Sequence, residues 1–477
     1  MRSCATRSPR LGLPTSRRAW SCRPRSRHDS LGSGAGGAHI MTTVSVRTAA
    51  DLIMPMTKSF SARDAEVEDG GATSGERKIR LLVFTSLYPN AAQARHGVFV
   101  EERLRHLVDS GRIAATVVAP VPWFPFRNPL FGSYSTFAAV PKTEERHGIR
   151  ILHPRYPVIP KLGMSIAPFL MYRALLPVLE ALKAEGADFD LIDAHYFYPD
   201  GVAAARLGAA IGAPVVISAR GSDVTWIPRY RRPRRKIQQA ANHAAAIVTV
   251  SQALKDSLVA LSVNPEKITV LRNGVDLDRF APRDRSSLRA QLGLKGPVWL
   301  TVGHLIELKG IHIVIEALAR VPDTTLLIAG DGPDEHKLRQ LVERLGLSAR
   351  ARFLGAISHA KLCEYYNAAD AMVLASSREG MPNVVLEAMA CGTPVLATPV
   401  GGIPELITAP EAGELMRERS PDALVMAWAT LQARKPDRAA TRKFAERLGW
   451  QPVIDEQCRL YARVLSDRAD IASAGSA

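Results

Sequence analysis

The densest chemical feature of the chain is a turn carrying two carboxylates. It reads Ser376-Ser377-Arg378-Glu379-Gly380-Met381-Pro382-Asn383, with Glu387 one helical turn further on. An apolar run ending near Leu374 precedes it and a helical pattern follows it, so it joins a strand to a helix. Proline suits the first turn of a helix. The free amides there, with the positive end of the helix dipole, form an anion site. Asn383 and Glu387 are four residues apart, share one helical face and can line one pocket. By spacing alone, Glu379 could equally cap the turn and Glu387 lie on the surface.

Other candidates occupy similar places. Asp193-Ala194-His195-Tyr196-Phe197 sets His195 just beyond the carboxyl end of a strand, and Arg220-Gly221-Ser222-Asp223 follows the run Pro214–Ser218 in the same way. Gly97 opens the helical pattern Val98-Phe99-Val100-Glu101. Taken singly, the glycine reads as a turn residue and the histidine as structural. Two acidic triplets, Asp188-Phe189-Asp190 and Asp276-Leu277-Asp278, have the form of a metal-binding pair. The first precedes a strand, at the end away from ligands, and the second lies in a linker. No metal site is therefore expected.

Positioning these loops requires a regular scaffold. From Lys78 short apolar runs alternate with helical spacing. Strands are predicted at 79–85, 115–119, 149–153, 190–194, 214–218, 246–250 and 268–271, with helices at 98–110, 200–211 and 251–260 among them. After a linker running to Pro282 the rhythm restarts. Strands are predicted at 298–302, 324–329, 351–354, 370–374 and 394–398, with helices at 310–320, 334–345, 359–366 and 383–390. Continuous apolar strands mean burial on both faces and mostly parallel sheets. The fold class is α/β, with two Rossmann-like, doubly wound domains in tandem, whose ligands bind at the carboxyl ends of the strands.

Composition agrees. The 477 residues exceed the ~250–300 at which a single core stops growing. Hydrophobic residues at 47% and charged residues at 23% are ordinary globular usage, which excludes a largely disordered chain. The net charge of +16 favours anionic partners. Residues 1–40 hold eight arginines against Asp29 and supply 8 − 1 = +7 of it. A disordered basic tail is expected over 1–77, with Met41 as an alternative start. No apolar core of a signal peptide is found there. The five cysteines show no metal-ligand spacing and fit a reducing compartment. The apolar stretch Leu162 to Leu182, interrupted by Arg173 and Pro177, reads as an amphipathic or buried helix.

Glu379-x7-Glu387 followed by Ala388-Met389-Ala390-Cys391-Gly392-Thr393-Pro394-Val395 resembles the signature of family 4 of the retaining glycosyltransferases, which have the GT-B fold. Asn273-Gly274-Val275-Asp276, Val302-Gly303-His304-Leu305, Lys309-Gly310, Ile328-Ala329-Gly330-Asp331-Gly332-Pro333 and Arg352-Phe353-Leu354-Gly355 agree in order and spacing. The resemblance implies transfer of a sugar from a nucleoside diphosphate sugar, with no cofactor. It assigns Glu379 to the sugar hydroxyls, Glu387 to the ribose, and Lys309 to the leaving diphosphate. Gly330, Asp331 and Gly332, with Phe353-Leu354-Gly355, go to the nucleoside side. Gly303, Gly380, Met381, Asn383 and Val384 complete the donor site. Gly97 approaches the phosphate, His195 the reacting sugar, and Arg220 and Asp223 the acceptor side. His304 departs from the family's usual arginine, and imidazole offers no permanent two-pronged charge. The implied domains are 78–275 and 276–449, a helix at 450–466 returning to the first, and a flexible tail at 467–477.

Arg229-Tyr230-Arg231-Arg232-Pro233-Arg234-Arg235-Lys236 packs six cations into eight positions, and Pro122-Trp123-Phe124-Pro125-Phe126 is an aromatic loop in the same domain. Basic and aromatic segments suit anionic headgroups and interfaces, which suggests a glycan or lipid-linked acceptor and peripheral membrane contact. A solvated loop and a core aromatic account for them equally well. Within the family, Leu87-Tyr88-Pro89-Asn90 and His96-Gly97-Val98-Phe99-Val100-Glu101 are similar to transferases of bacterial exopolysaccharide and teichuronic-type polymers. The expected protein is a cytoplasmic, metal-independent hexosyltransferase. A GT-B phosphorylase or sugar-nucleotide epimerase is the second reading. A nucleic-acid-binding protein is the third, disfavoured because nearly half the charge lies in the tail and no recognition motif accompanies it.

Overall fold

The computed structural model describes residues 77–124, 133–158 and 163–474, with side chains at all of these except 133, 134 and 471–474. The expected tail over 1–76, Pro125, Phe126, Leu162 and residues 475–477 lie outside the described residues.

Strands β1 Ile79–Phe84, β2 Ile113–Val118, β3 Val121–Trp123, β4 Thr143–Arg146, β5 Ile149–Leu152, β6 Arg155–Pro157, β7 Leu191–His195, β8 Val215–Ala219, β9 Ala246–Thr249 and β10 Ile268–Val270 belong to the first half. They alternate with helices α1 Val98–Asp109, α2 Ser133–Ala139, α3 Gly163–Ala184, α4 Val202–Ile211, α5 Ser222–Thr225, α6 Arg231–His243 and α7 Gln252–Val259. Eight of these strands form one sheet in the order β10-β9-β8-β7-β1-β2-β5-β4, parallel except for β4.

The second half holds β11 Val298–Val302, β12 Thr325–Ala329, β13 Ala351–Gly355, β14 Ala371–Leu374, β15 Val395–Ala397 and β16 Gly413–Leu415. Its helices are α8 Arg285–Gln291, α9 Ile311–Leu318, α10 Glu335–Arg344, α11 His359–Ala368, α12 Asn383–Ala390, α13 Ile403–Leu406, α14 Pro421–Arg434 and α15 Arg438–Glu446. The all-parallel order β13-β12-β11-β14-β15-β16 is that of a dinucleotide-binding Rossmann sheet.

Successive strand residues feed opposite cores. In β1, Leu82 and Phe84 pack with Met171 and Leu175 of α3, whereas Leu81 and Val83 pack with Val100 and Leu104 of α1. In β11, Trp299 faces Val314 of α9 and Trp428 of α14, and Val298 and Leu300 face Leu386 of α12. The final helix, α16 Trp450–Ala474, adds Trp450, Ile454 and Tyr461 to the α1 side of the first sheet. The chain crosses between halves twice, and the two crossings touch: Val275 pairs with Gly449, and a Cβ on Gly274 would lie 2.6 Å from Cα of Trp450.

Several local expectations are corrected. Residues 467–474, expected as a flexible tail, continue α16, since nothing before Gly475 breaks a helix. Arg77, assigned to the tail, pairs with Asp190 at 2.7 Å. The basic segment forms α6, because Pro233, Ile237, Ala240 and Ala241 recur at helical spacing and are buried beneath the arginines. Strands β3, β4, β6 and β16 escaped notice: they are three or four residues long and polar, proline-bearing or at a sheet edge. Lys309 closes a single turn, Glu307–Lys309, ahead of α9 rather than beginning the helix.

Asp200 ties the end of β1 to the start of α4. It is fully buried and accepts hydrogen bonds from the Ser86 N–H and, at 3.1 Å, the Ser86 hydroxyl. Burial nonetheless pushes its carboxyl up to about 7. A group that holds its proton more tightly when folded stabilises the fold at low pH, and that contribution fades as pH rises from the ordinary aspartate range towards 7. The stability of the native chain relative to Asp200→Asn should therefore fall from pH 4 to 7, by up to ~4 kcal/mol. Thermal unfolding across that range tests it, and a pH-independent difference would show the carboxylate ionised throughout.

Candidate active site

In the second sheet the strand order reverses between β11 and β14, so a crevice opens at their carboxyl ends. Gly303 and His304 follow β11, and the Ser376–Asn383 turn follows β14. Two contacts clamp them together. The Ser377 N–H donates to the Leu308 carbonyl at 2.8 Å, and Gly310, at φ 66°, passes so close that a Cβ would sit 2.0 Å from the Ala375 carbonyl oxygen. That register brings Lys309 Nζ to Glu379 Oε1 at 2.7 Å, an oxygen that also accepts from Ser376 Oγ at 2.6 Å. An ammonium has three donors, so two remain for a substrate.

The glycines of the crevice are packed against backbone. A Cβ on Gly330 would fall 1.9 Å from the Gly303 carbonyl oxygen, and one on Gly332 2.5 Å from that of Leu305. Exposed His304 bonds through Nδ1 to the Asp331 carbonyl at 2.6 Å. A carbonyl only accepts, so Nδ1 carries the proton and Nε2 of the neutral ring is left as an acceptor. The Asp331 carboxylate pairs with Arg95 of the first half at 3.1 Å.

Helix α12 carries the remaining donor-side candidates. Met381 is buried, while Asn383 and Val384 are half-buried at its start. One turn deeper Glu387 is almost wholly buried and accepts from the Tyr366 hydroxyl at 2.8 Å. Burial pushes its carboxyl up, and His359 partly offsets that. His359 itself faces Glu102 of α1 at 3.8 Å.

The first sheet reverses between β1 and β7, and its candidates cluster there. Gly97 adopts φ 72° where a Cβ would meet the Leu87 carbonyl at 2.2 Å, so its freedom is required inside the protein itself. His195 ends β7 fully enclosed. Its Nε2 lies 3.0 Å from Asp193 Oδ2 and its Nδ1 2.5 Å from Arg220 NH2, so both ring nitrogens are engaged internally. Asp223, expected on the acceptor side, is fully buried. Its buried carboxylate is turned inward onto the backbone N–H groups of Phe197 (2.7 Å), Gly221 (2.6 Å) and Arg220 (3.1 Å). Arg220 instead reaches Asn273 Oδ1 at 3.4 Å, and Asn273 Nδ2 donates to Asn383 Oδ1 at 2.8 Å. The two crevices thus face one another, and a Cβ on Gly380 would lie 2.1 Å from the Arg220 carbonyl oxygen.

Some participants escaped sequence reasoning. Arg95, Glu102 and His359 bridge the halves, and Trp226 stacks between Arg229 (4.2 Å) and Arg378 (4.6 Å). Asn273 was legible through its motif. Asp193 stood beside His195 in sequence, whereas Tyr461 carried no signal.

Comparison with known proteins agrees with this architecture. Residues 97–279 match the family described as Glycosyltransferase Family 4, and 284–448 match Glycosyl transferases group 1. Over 336 residues the chain is 32% identical to TuaC of Bacillus subtilis (strain 168), a glycosyltransferase assigned provisionally by name to teichuronic acid biosynthesis, covering 69% of this chain and 83% of that protein. It is 31% identical to a D-inositol 3-phosphate glycosyltransferase of Mycolicibacterium gilvum (strain PYR-GCK), covering 59% and 68%. Among solved structures, Anabaena Alr3699/HepE in complex with UDP superposes with TM-score 0.64 at 23% identity, over 81% of this chain and 100% of that one. Sucrose-phosphate synthase of Thermosynechococcus elongatus gives 0.66 at 21%, over 82% and 100%. The chain belongs to glycosyltransferase family 4 and is a glycosyltransferase of the GT-B fold.

Proposed function

We propose that the chain transfers a hexose, with retention and without a metal, from a nucleoside diphosphate sugar to a glycan or lipid-linked acceptor in cell-surface polysaccharide assembly. The observation that carries this reading is the Lys309–Glu379 pair beside the free amides at the start of α12. One partner suits a leaving diphosphate and the other the hydroxyls of the transferred sugar. No protein nucleophile is needed if the acceptor attacks from the face the diphosphate leaves and the departing phosphate takes its proton. The inward-turned carboxylates of Asp193, Asp200 and Asp223 fit that economy. The similarity to a protein named for teichuronic acid synthesis supports a polymer role.

Three of the four carboxylates in the acidic triplets pair with arginines. Asp188 pairs with Arg80, Asp190 with Arg77 and Arg80, and Asp276 with Arg105 and Arg279. Among the described residues no cluster of three or more His, Cys, Asp or Glu could hold a metal. Turnover should therefore persist in EDTA. Loss of activity on chelation, restored by Mg²⁺ or Mn²⁺, would overturn the metal-free reading.

The two glutamates should separate kinetically, tested after a panel of UDP-, GDP- and ADP-sugars has identified the donor. Glu379→Ala should lower kcat ~10²-fold or more while free nucleoside diphosphate still binds, since the sugar is then poorly oriented. Glu387→Gln keeps an acceptor for Tyr366 and should chiefly raise KM and weaken nucleotide binding. Calorimetry beside transfer rates distinguishes them, and the opposite pattern would exchange the assignments.

The acceptor side points to a lipid surface reached from the cytoplasm. Helix α3 is long and apolar enough to cross a membrane by length and composition, yet Met171, Leu175, Leu179 and Leu182 pack into the first domain. It lies against the domain, exposing Met164 (48%) and Phe169 (46%). Helix α6 is docked beside it through Lys236, which donates to the Ser165 carbonyl, and presents Arg231, Arg232, Arg234 and Arg235 to solvent. Apolar side chains flanked by cations suit an anionic bilayer. The protein should co-sediment with phosphatidylglycerol-containing vesicles and not with pure phosphatidylcholine. Met164→Ser with Phe169→Ser should abolish this without lowering transfer to a soluble acceptor.

A further inference from the structure

The first domain contains a buried polar assembly that none of the donor contacts requires. Asp193 and His195, two apart on β7, point to the same side of the sheet. Asp193 Oδ2 accepts from the Tyr461 hydroxyl of α16 at 2.8 Å and faces His195 Nε2 at 3.0 Å. Gln457, one turn earlier on α16, donates to the Tyr461 oxygen. His195 Nδ1 faces Arg220, which can only donate, so Nδ1 is an acceptor and the proton sits on Nε2. Arg220 continues to Asn273 Oδ1, and Asn273 Nδ2 donates to Asn383 Oδ1 at 2.8 Å and to the Met381 carbonyl at 3.4 Å. Every hydrogen bond in this run has its direction fixed. The run begins on the last helix, passes through β7, the loop after β8 and the first crossing, and ends on the turn of the second domain that carries Glu379.

We infer that Tyr461 is a positioning residue for the Gly380–Asn383 turn, acting through Asp193, His195, Arg220 and Asn273. The reason lies in the course of the chain. Helix α16 starts at the second crossing, beside Gly274 and Val275, and is packed on the first domain, so its placement reports how the two halves sit. Tyr461 links that placement to the turn on the far side of the cleft. The catalytic consequence rests on the glycosyltransferase reading above, whereas the effect on the turn does not.

The charge state of His195 controls the run. Arg103 from α1, Asp193 from β7 and Arg220 from the loop after β8 face it, and Tyr461 from α16 reaches it through Asp193. Burial first, with the two arginines, favours the neutral ring, and Asp193 opposes them. Protonation would turn Nδ1 into a donor and break its bond to Arg220. Tyr461→Phe deprives Asp193 of one donor, which strengthens its pull on the imidazole proton. His195 should then protonate at higher pH, and the acid fall in kcat should begin at higher pH than in the native enzyme.

Hydrogen exchange on the full chain, with and without UDP, tests the inference directly. In Tyr461→Phe the amides of Gly380, Met381 and Asn383–Val385 should exchange about tenfold faster, with those of α10 unchanged. Asn273→Ala should do the same. The double variant should be no worse than the poorer single, since non-additivity between residues so far apart marks one network. In transfer assays Tyr461→Phe should lower kcat about fivefold to tenfold, with the UDP dissociation constant within about twofold of native. Unchanged exchange at the turn in Tyr461→Phe, or additive effects of the two substitutions, would overturn the inference whatever the activity. Failure of the native chain to use any nucleotide sugar would instead remove the glycosyltransfer reading and leave the exchange result standing.

Discussion

Parallel strands buried on both faces carry mainly apolar side chains, so polar chemistry gathers at the strand ends, and this constraint organises the molecule. Each sheet reverses its strand order once, between β1 and β7 and between β11 and β14, and at those points neighbouring loops leave in opposite directions. The resulting gaps open beside Gly97 and His195 in the first half and beside Gly303 and Glu379 in the second. Lys309 completes the second gap because Gly310 lets its turn press against Ala375. The glycines follow from the same crowding. Gly330 against Gly303 and Gly380 against Arg220 are positions where main chain meets main chain.

The apolar strands made most of this legible in the sequence. Runs such as Ile79-Arg80-Leu81-Leu82-Val83-Phe84 leave no solvent face, so parallel sheets and ligand loops at their carboxyl ends followed without further information. Strands that could not be read lack that pattern: Thr143–Arg146 is a polar edge strand, and Val121–Trp123 and Arg155–Pro157 pair only with each other. The donor side was legible because Lys309, Glu379 and Asn383 belong to short local motifs. Contacts between distant segments had no such signature. Nothing near Tyr461 or Arg95 in sequence announces Asp193 or Asp331 as partner.

Burial also explains why the first domain's polar residues differ in kind from their sequence reading. His195 and Asp223 stand at strand ends, as expected, but the first half folds its loops over them. Once covered, each needs internal partners, since an unpaired buried polar group costs about 1–3 kcal/mol. Asp223 finds them in the Arg220 and Gly221 N–H groups of its own loop and the Phe197 N–H after β7, and His195 in Asp193 and Arg220. Both are thus held within the first half, while in the second half Lys309 keeps spare donors beside Glu379.

That division sharpens the question of which positive groups meet a leaving diphosphate. His304, bound through Nδ1–H to the Asp331 carbonyl, offers a lone pair at Nε2 and repels an anion unless it takes up a second proton. Arg378 is better suited than its stacking on Trp226 first suggests. With its Cζ 4.6 Å over the Trp226 ring, the guanidinium is held by a cation–π contact that consumes none of its N–H donors. Lys309 spends one donor on Glu379 and keeps two. The permanent charge lost where the family usually carries arginine thus has two sources close by: an ammonium held by Glu379, the residue proposed to address the sugar, and a guanidinium held by an aromatic ring from the opposite domain. The second source exists only while Trp226 and Arg378 face each other across the cleft, which makes stabilisation of the departing diphosphate depend on the two halves being together.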